Sequence, residues 1–71
     1  MSDIAYVSVT TDSGFAIGLA HRGVRGYTPL PALPTFASLE EAEAYVKSLN
    51  HTAFGLTSLD AWKIVASTMH P

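Results

Sequence analysis

The histidines are the residues whose spacing says most about chemistry, because imidazole can act as a metal ligand and as a general base. They are His21, His51 and His70, and no two of them are four residues apart, as a metal site on one helix requires. The chain has no cysteine that could complete a zinc ligand set. The spacing therefore predicts no metal site, and we expect no cofactor.

The residues that could act as nucleophiles or acid–base pairs also lack a catalytic pattern. No Gly-x-Ser-x-Gly turn is present, and the scattered glycines form neither a dinucleotide-binding nor a Walker pattern. Glu40, Glu41 and Glu43 cluster at the start of a predicted helix, which is typical of a cap and a solvated face. The other interpretation of these glutamates is a contact patch for a basic partner. We therefore expect no enzyme activity.

A small basic group, His21, Arg22 and Arg25, follows the second predicted strand. Binding to nucleic acid through release of counterions needs several lysines or arginines on one face. The whole chain has four, and its formal net charge is -2. Direct nucleic-acid binding is therefore unfavoured, and weak binding through these three residues is kept as an alternative to a merely solubilising loop.

Residues 28–34 contain the spacing of a polyproline ligand, from Pro31 to Pro34. Such ligands usually carry a basic residue three positions upstream, where this chain has Thr28. The favoured interpretation is an extended connection whose leucines pack on the core.

Length and composition predict one small domain over residues 1–71. Charged residues make up 14% of the chain, against about 25% in a typical soluble domain, so part of the surface is expected to contact a partner. No apolar run approaches the roughly 20 residues of a membrane helix. The acidic Met1-Ser2-Asp3 start lacks the basic residues of a signal peptide, which favours a cytoplasmic protein with no membrane partner.

A β-hairpin is predicted over residues 4–22, with strands at 4–11 and 15–22 joined by a three-residue loop that ends at Gly14. If Thr11 pairs with Phe15, alternation gives the hairpin one core face and one small, uncharged face. The predicted core face consists of Val7, Val9, Phe15, Ile17 and Leu19. The predicted uncharged face consists of Tyr6, Ser8, Thr10, Ala16, Gly18 and Ala20, which either bind a partner or are covered by the chain itself.

Two amphipathic helices are predicted after an extended Gly/Pro connection at 23–37, which has room for a short third strand at 24–28. Ser38 caps a helix over 38–50, and Thr57 or Ser58 caps a helix over 57–69. We expect both helices to cover one face of the hairpin, in an α+β fold of order β-β-(β)-α-α. The apolar stripe of the second helix is Leu59, Trp62, Val65, Ala66 and Met69. A buried Trp62 would make Trp62→Ala cost about 3 kcal/mol or more.

The order of these segments resembles that of short uncharacterised bacterial or mobile-element proteins. The similarity is carried by the hairpin, the proline connection that ends in Phe36, the helix start Ser38-Leu39-Glu40-Glu41-Ala42-Glu43, and the second helix at 56–67. The resemblance implies a small phage- or plasmid-borne protein without catalytic residues, as anti-CRISPR inhibitors are. It transfers no specific function.

The favoured hypothesis is a non-enzymatic binding protein that occupies a surface of a larger protein or nucleoprotein complex, as an accessory factor or an anti-CRISPR-like inhibitor. The first alternative is a structural homodimer joined through the open sheet face or a strand edge. The predicted contact residues are Tyr6, Ser8 and Thr10 on the hairpin, with His21, Arg22 and Arg25 at its end.

Overall fold

The computed structural model describes residues 3–69, apart from the Met69 side chain, and contains a three-stranded sheet followed by two helices. The sheet is antiparallel, in the order β1-β2-β3. The predicted α+β class is confirmed, with the element order β-β-β-α-α. The strands are β1 (Ile4–Thr11), β2 (Gly14–His21) and β3 (Thr28–Pro29), and the helices are α1 (Leu39–Phe54) and α2 (Ser58–Met69).

The register of the hairpin differs by one residue from the predicted one. Thr11 pairs with Gly14 instead of Phe15, so the loop is shorter than predicted. Gly14 has a φ of 139°, and a Cβ at this position would lie 2.5 Å from the Phe36 carbonyl oxygen. Glycine is therefore required at the start of β2, where the backbone of the connection approaches most closely.

The predicted core face is consequently divided between the two faces of the sheet, because a shift of one residue turns a strand's side chains over. The prediction of one core face and one small, uncharged face is wrong. We call the first actual face the Tyr6 face; it comprises Tyr6, Ser8, Thr10, Phe15, Ile17 and Leu19. We call the second the Ala5 face; it comprises Ala5, Val7, Val9, Ala16, Gly18 and Ala20.

The two helices contact different faces of the hairpin. Ala61 and Ile64 of α2 form a buried cluster with Ala5. Tyr45 of α1 lies against Phe36, with the ring centroids 5.2 Å apart, and Phe36 pairs with Phe15 of the Tyr6 face. Phe54, at the end of α1, stacks on Tyr6 and also packs against the Ala5 cluster from the end of the helix. Ala5 and Tyr6 are consecutive in β1, so their side chains point to opposite sides of the sheet. The expectation that both helices cover one face is therefore wrong, and apolar residues are needed on both faces of the hairpin.

The orientation of α2 also differs from the predicted one. Ile64 is 0% exposed, whereas Trp62 is 66% exposed and Leu59 is 63% exposed. Residues two apart on a helix lie about 200° apart around its axis, so Ile64 and Trp62 point in nearly opposite directions. Ala61 and Ile64 pack in a buried cluster with Ala5, and the predicted burial of Trp62 is wrong.

The connection between the hairpin and α1 packs along β2. The Leu30 N–H donates to the Ile17 carbonyl at 3.2 Å, and the backbones of Phe15 and Phe36 exchange two hydrogen bonds of 2.8 Å each. Tyr27 lies against Gly18, where an added Cβ would approach its ring to 2.8 Å. These contacts favour a structural role for the proline segment.

Local capping signals account for the ends of both helices. The Ser38 hydroxyl accepts a hydrogen bond from the Glu41 N–H, and the Thr57 hydroxyl accepts one from the Asp60 N–H. The predicted end of α1 near residue 50 is wrong, because the helix continues for a further turn. It ends at Phe54 and is capped by Gly55, whose φ of 66° lets its N–H donate to the His51 carbonyl.

Loss of the Ser38 cap should lower the free energy of unfolding. We expect Ser38→Ala to cost about 1 kcal/mol, because the Glu41 N–H then has no partner in the chain. Urea denaturation followed by circular dichroism measures this change. Ser48→Ala is the control, since Ser48 is exposed within the same helix, and an equal loss in the two variants would contradict the capping role.

Candidate interaction site

The part of the chain that the structure describes holds no cluster of three His, Asp or Glu side chains that could bind a metal ion. His21 and His51 are both exposed, and His70 lies outside the described residues. Neither helix in this part has the length and hydropathy to cross a membrane. The described surface does, however, offer two features that could bind another protein, the free edge of β1 and an exposed side of α2.

The free edge of β1 is the first such surface. β1 is the outer strand of the sheet, and in an antiparallel pair alternate residues direct their N–H and C=O groups away from the neighbouring strand. Tyr6 directs both groups away from β2, so Ser8 and Thr10 must do the same. No residue within 3–69 is found hydrogen-bonded to the outward groups of Ser8 and Thr10.

Asn50 closes this edge at Tyr6. The Tyr6 N–H donates to the Asn50 Oδ1 at 2.6 Å, and the Asn50 Nδ2 donates to the Tyr6 carbonyl at 3.1 Å. The carboxamide of Asn50 thus binds the strand as the backbone of a neighbouring strand would. Asn50 is 2% exposed, and its side chain leaves no buried polar atom without a partner. The open part of the edge therefore begins at Ser8.

A groove runs beside this edge, between the two helices, with a volume of about 350 Å³. Its floor is the strand segment around Val7, and its two walls come from α1 and α2. Most of its lining is apolar, with one acidic and one basic side chain on the α1 wall. We call it the edge groove; its lining includes Tyr6, Ser8, Val46, Lys47, Asn50, Trp62 and Val65.

The α2 wall of the edge groove carries the most exposed aromatic side chain among the described residues. Trp62 and Leu59 are one helical turn apart, and both are more than half exposed. We call this pair the Trp62 ridge. Two large apolar side chains exposed side by side form the kind of patch that marks binding surfaces.

The predicted contact residues on the hairpin all lie along β1. Tyr6 is half-buried under Phe54, Ser8 is half-buried beside the edge groove, and Thr10 is exposed. They share the Tyr6 face with large apolar residues, and not with the small residues of the predicted uncharged face. Their predicted role in partner binding stays a prediction.

The predicted basic residues lie at the other end of the hairpin. His21 pairs with Ile4, six residues along β1 from Thr10, which corresponds to about 20 Å at the rise of a strand. The Arg22 Nε lies 3.3 Å from the Asp3 carboxylate, so one of the two arginine charges is paired. His21, Arg22 and Arg25 are all exposed. The structure thus does not bring the six predicted contact residues together.

Comparison with protein-family models, with curated proteins and with solved structures found no match to this chain.

Proposed function

We propose that this chain is a non-enzymatic binding protein that acts by contact with a larger protein, and that the Trp62 ridge is its anchor. The observation that supports this proposal most directly is the exposure of Trp62, at 66% of its surface. Tryptophan is among the residues that most often dominate the energy of an interface when they enter a pocket on the partner. A role as an accessory factor or inhibitor, of the kind the sequence resembles, belongs to the same proposal.

The surroundings of the ridge indicate the chemistry of the partner surface. The exposed α2 residues beside the ridge include one acid, Asp60, and one base, Lys63, so the ridge carries little net charge. Its partner should therefore offer an apolar pocket that accepts an indole ring, with few charged groups at its centre. The 14% of charged residues in the whole chain agrees with such a contact.

Replacement of Trp62 should separate binding from stability. We expect Trp62→Ala to change the free energy of unfolding by less than about 1 kcal/mol, because the side chain is mostly in solvent. It should weaken partner binding by about 2 kcal/mol or more, which is roughly thirtyfold in Kd. The partner would be isolated from a bacterial lysate on the immobilised wild-type chain, and the Kd would be measured by calorimetry.

The control for this experiment is Val24→Ala. Val24 is 57% exposed and follows Gly23, whose N–H donates to the Ser67 hydroxyl five residues after Trp62 on α2, so Val24 is not part of the Trp62 ridge. Its removal should leave the Kd unchanged. A partner that binds Trp62→Ala and wild type equally well would refute the anchor role of the ridge.

A further inference from the structure

Beyond Tyr6, where Asn50 of α1 covers it, the edge of β1 lacks the protection that sheet edges usually carry. Natural edge strands are blunted by charged side chains, proline, bulges or very short length. β1 has eight residues, Ile-Ala-Tyr-Val-Ser-Val-Thr-Thr, with no charge, proline or glycine among them. The opposite edge, β3, is two residues long and includes Pro29. One edge of the sheet is thus protected and the other is left able to pair with a further strand.

From this edge we infer that two copies of the chain pair through their β1 strands, antiparallel and centred on Val9, to form a six-stranded sheet. The inference depends on the hydrogen-bonding geometry of β1 and is independent of the proposed partner of the Trp62 ridge. In this register Ser8 lies opposite Thr10 of the second copy, and Thr10 lies opposite Ser8 of the second copy. Each pair exchanges two hydrogen bonds, so four bonds satisfy every outward group of Ser8 and Thr10 in both copies.

Asn50 selects this register from the other symmetric ones. A pairing centred on Ser8 would place Thr10 of the second copy opposite Tyr6, whose N–H and C=O are already bound by Asn50. A pairing centred on Thr10 would use Asp12, which lies outside β1. Only the register centred on Val9 pairs Ser8 with Thr10 and leaves the Asn50 contacts intact.

The charges beside the edge fit the same register. The two strands part beyond the Ser8–Thr10 pair, because Asn50 occupies the position beside Tyr6. Asp12 of the second copy, in the hairpin loop just after β1, then lies near the end of the edge groove, whose α1 wall carries Lys47 and, one turn earlier, Glu43. An acidic loop residue would then approach a basic side chain twice in the dimer, once at each end of the paired strands. The two-fold axis is perpendicular to the sheet, so both α2 helices and both copies of the Trp62 ridge would lie on one side.

The test is the solution mass of the full chain by light scattering over a concentration series from low to high micromolar. We expect wild type to reach about twice 7.6 kDa. Thr10→Pro should remain folded and monomeric, because proline removes an N–H that points away from β2 and costs no hydrogen bond within the hairpin. Thr10→Val keeps the N–H and should dimerise as wild type does. A wild type that stays monomeric over the whole range would overturn the inference, as would a folded Thr10→Pro that stays dimeric.

A charge reversal provides a second test that does not depend on the folding of the proline variant. Asp12 is exposed in the hairpin loop, so Asp12→Lys should leave the monomer intact. In the dimer the introduced positive charge would lie near Lys47 at both ends of the paired strands. This repulsion should raise the dimer Kd by about threefold or more. The double variant Asp12→Lys/Lys47→Asp should restore the wild-type Kd. Equal Kd values in wild type and Asp12→Lys would overturn the register, and so would a double variant that fails to recover.

Discussion

Replacement of Asn50 with alanine should destabilise the protein by about 2–4 kcal/mol, because two backbone groups of Tyr6 lose their only side-chain partner and each such loss costs about 1–3 kcal/mol. The site is nearly closed to solvent, with Asn50 2% exposed, so water cannot readily replace the carboxamide. The measurement is urea denaturation by circular dichroism. Since a small domain has a total stability of only about 5 kcal/mol, the variant should retain about 1–3 kcal/mol and unfold at a much lower urea concentration than wild type.

The matched control is the neighbouring residue on the same helical turn. His51 is exposed, and its side chain is in solvent while its carbonyl accepts the Gly55 N–H. His51→Ala keeps this backbone bond and should change the stability by less than about 0.5 kcal/mol. If Asn50→Ala were as stable as His51→Ala, the Asn50–Tyr6 contact would not hold α1 against β1.

The contact between Asn50 and Tyr6 could not be predicted from local patterns in the sequence. The predicted apolar repeat of α1 ends at Leu49, and the helix is predicted to stop near Asn50. In the structure the helix continues to Phe54, because Gly55 supplies the left-handed turn that ends it. Asn50 then lies inside the helix, facing a strand 44 residues earlier in the chain. No spacing rule connects two residues at that distance.

The types and order of the elements, by contrast, were predictable because their signals are local. The β-branched residues of β1, the Ser38 cap and the Thr57 cap each act within a few residues of their own position. Local propensity and the tertiary structure agree at these points, as they do in most sequences that fold to one structure. The hairpin register is predicted one residue away from the observed one, because a tertiary contact as well as the loop sequence determines it. Gly14 begins β2 and also accommodates the backbone of Phe36, a contact that cannot be read from the loop alone.

The candidate site was only partly predictable for the same reason. The sequence favours β1 as a binding element, and its open edge at Ser8 and Thr10 agrees with that choice. Helical spacing predicts Trp62 in the core, because large apolar residues at that spacing usually face the core. On α2, however, apolar residues occur on more than one side, and the period alone cannot decide which side meets the sheet. The contact with Ala5 decides it, since Ala61 and Ile64 are buried in one cluster with Ala5.

Because the side of α2 that carries Ile64 faces the sheet, Ile64→Ala should lower the free energy of unfolding by about 2–5 kcal/mol. Ile64 is 0% exposed and packs in the cluster with Ala5 and Ala61, so its truncation leaves a cavity that the neighbouring strand cannot fill. Leu59→Ala removes a side chain of similar size from the same helix. Because Leu59 is 63% exposed, its loss should cost less than about 1 kcal/mol.

Thermal and urea unfolding of the two variants decide between the predicted and the observed orientation of α2. With Ile64 facing the sheet, Ile64→Ala should be the less stable variant by several kcal/mol, and Leu59→Ala should melt close to wild type. The reverse order would mean that the side carrying Leu59 and Trp62 faces the sheet. The Trp62 ridge would then be core, and neither the proposed anchor nor the placement of two ridges on one side of a dimer would survive.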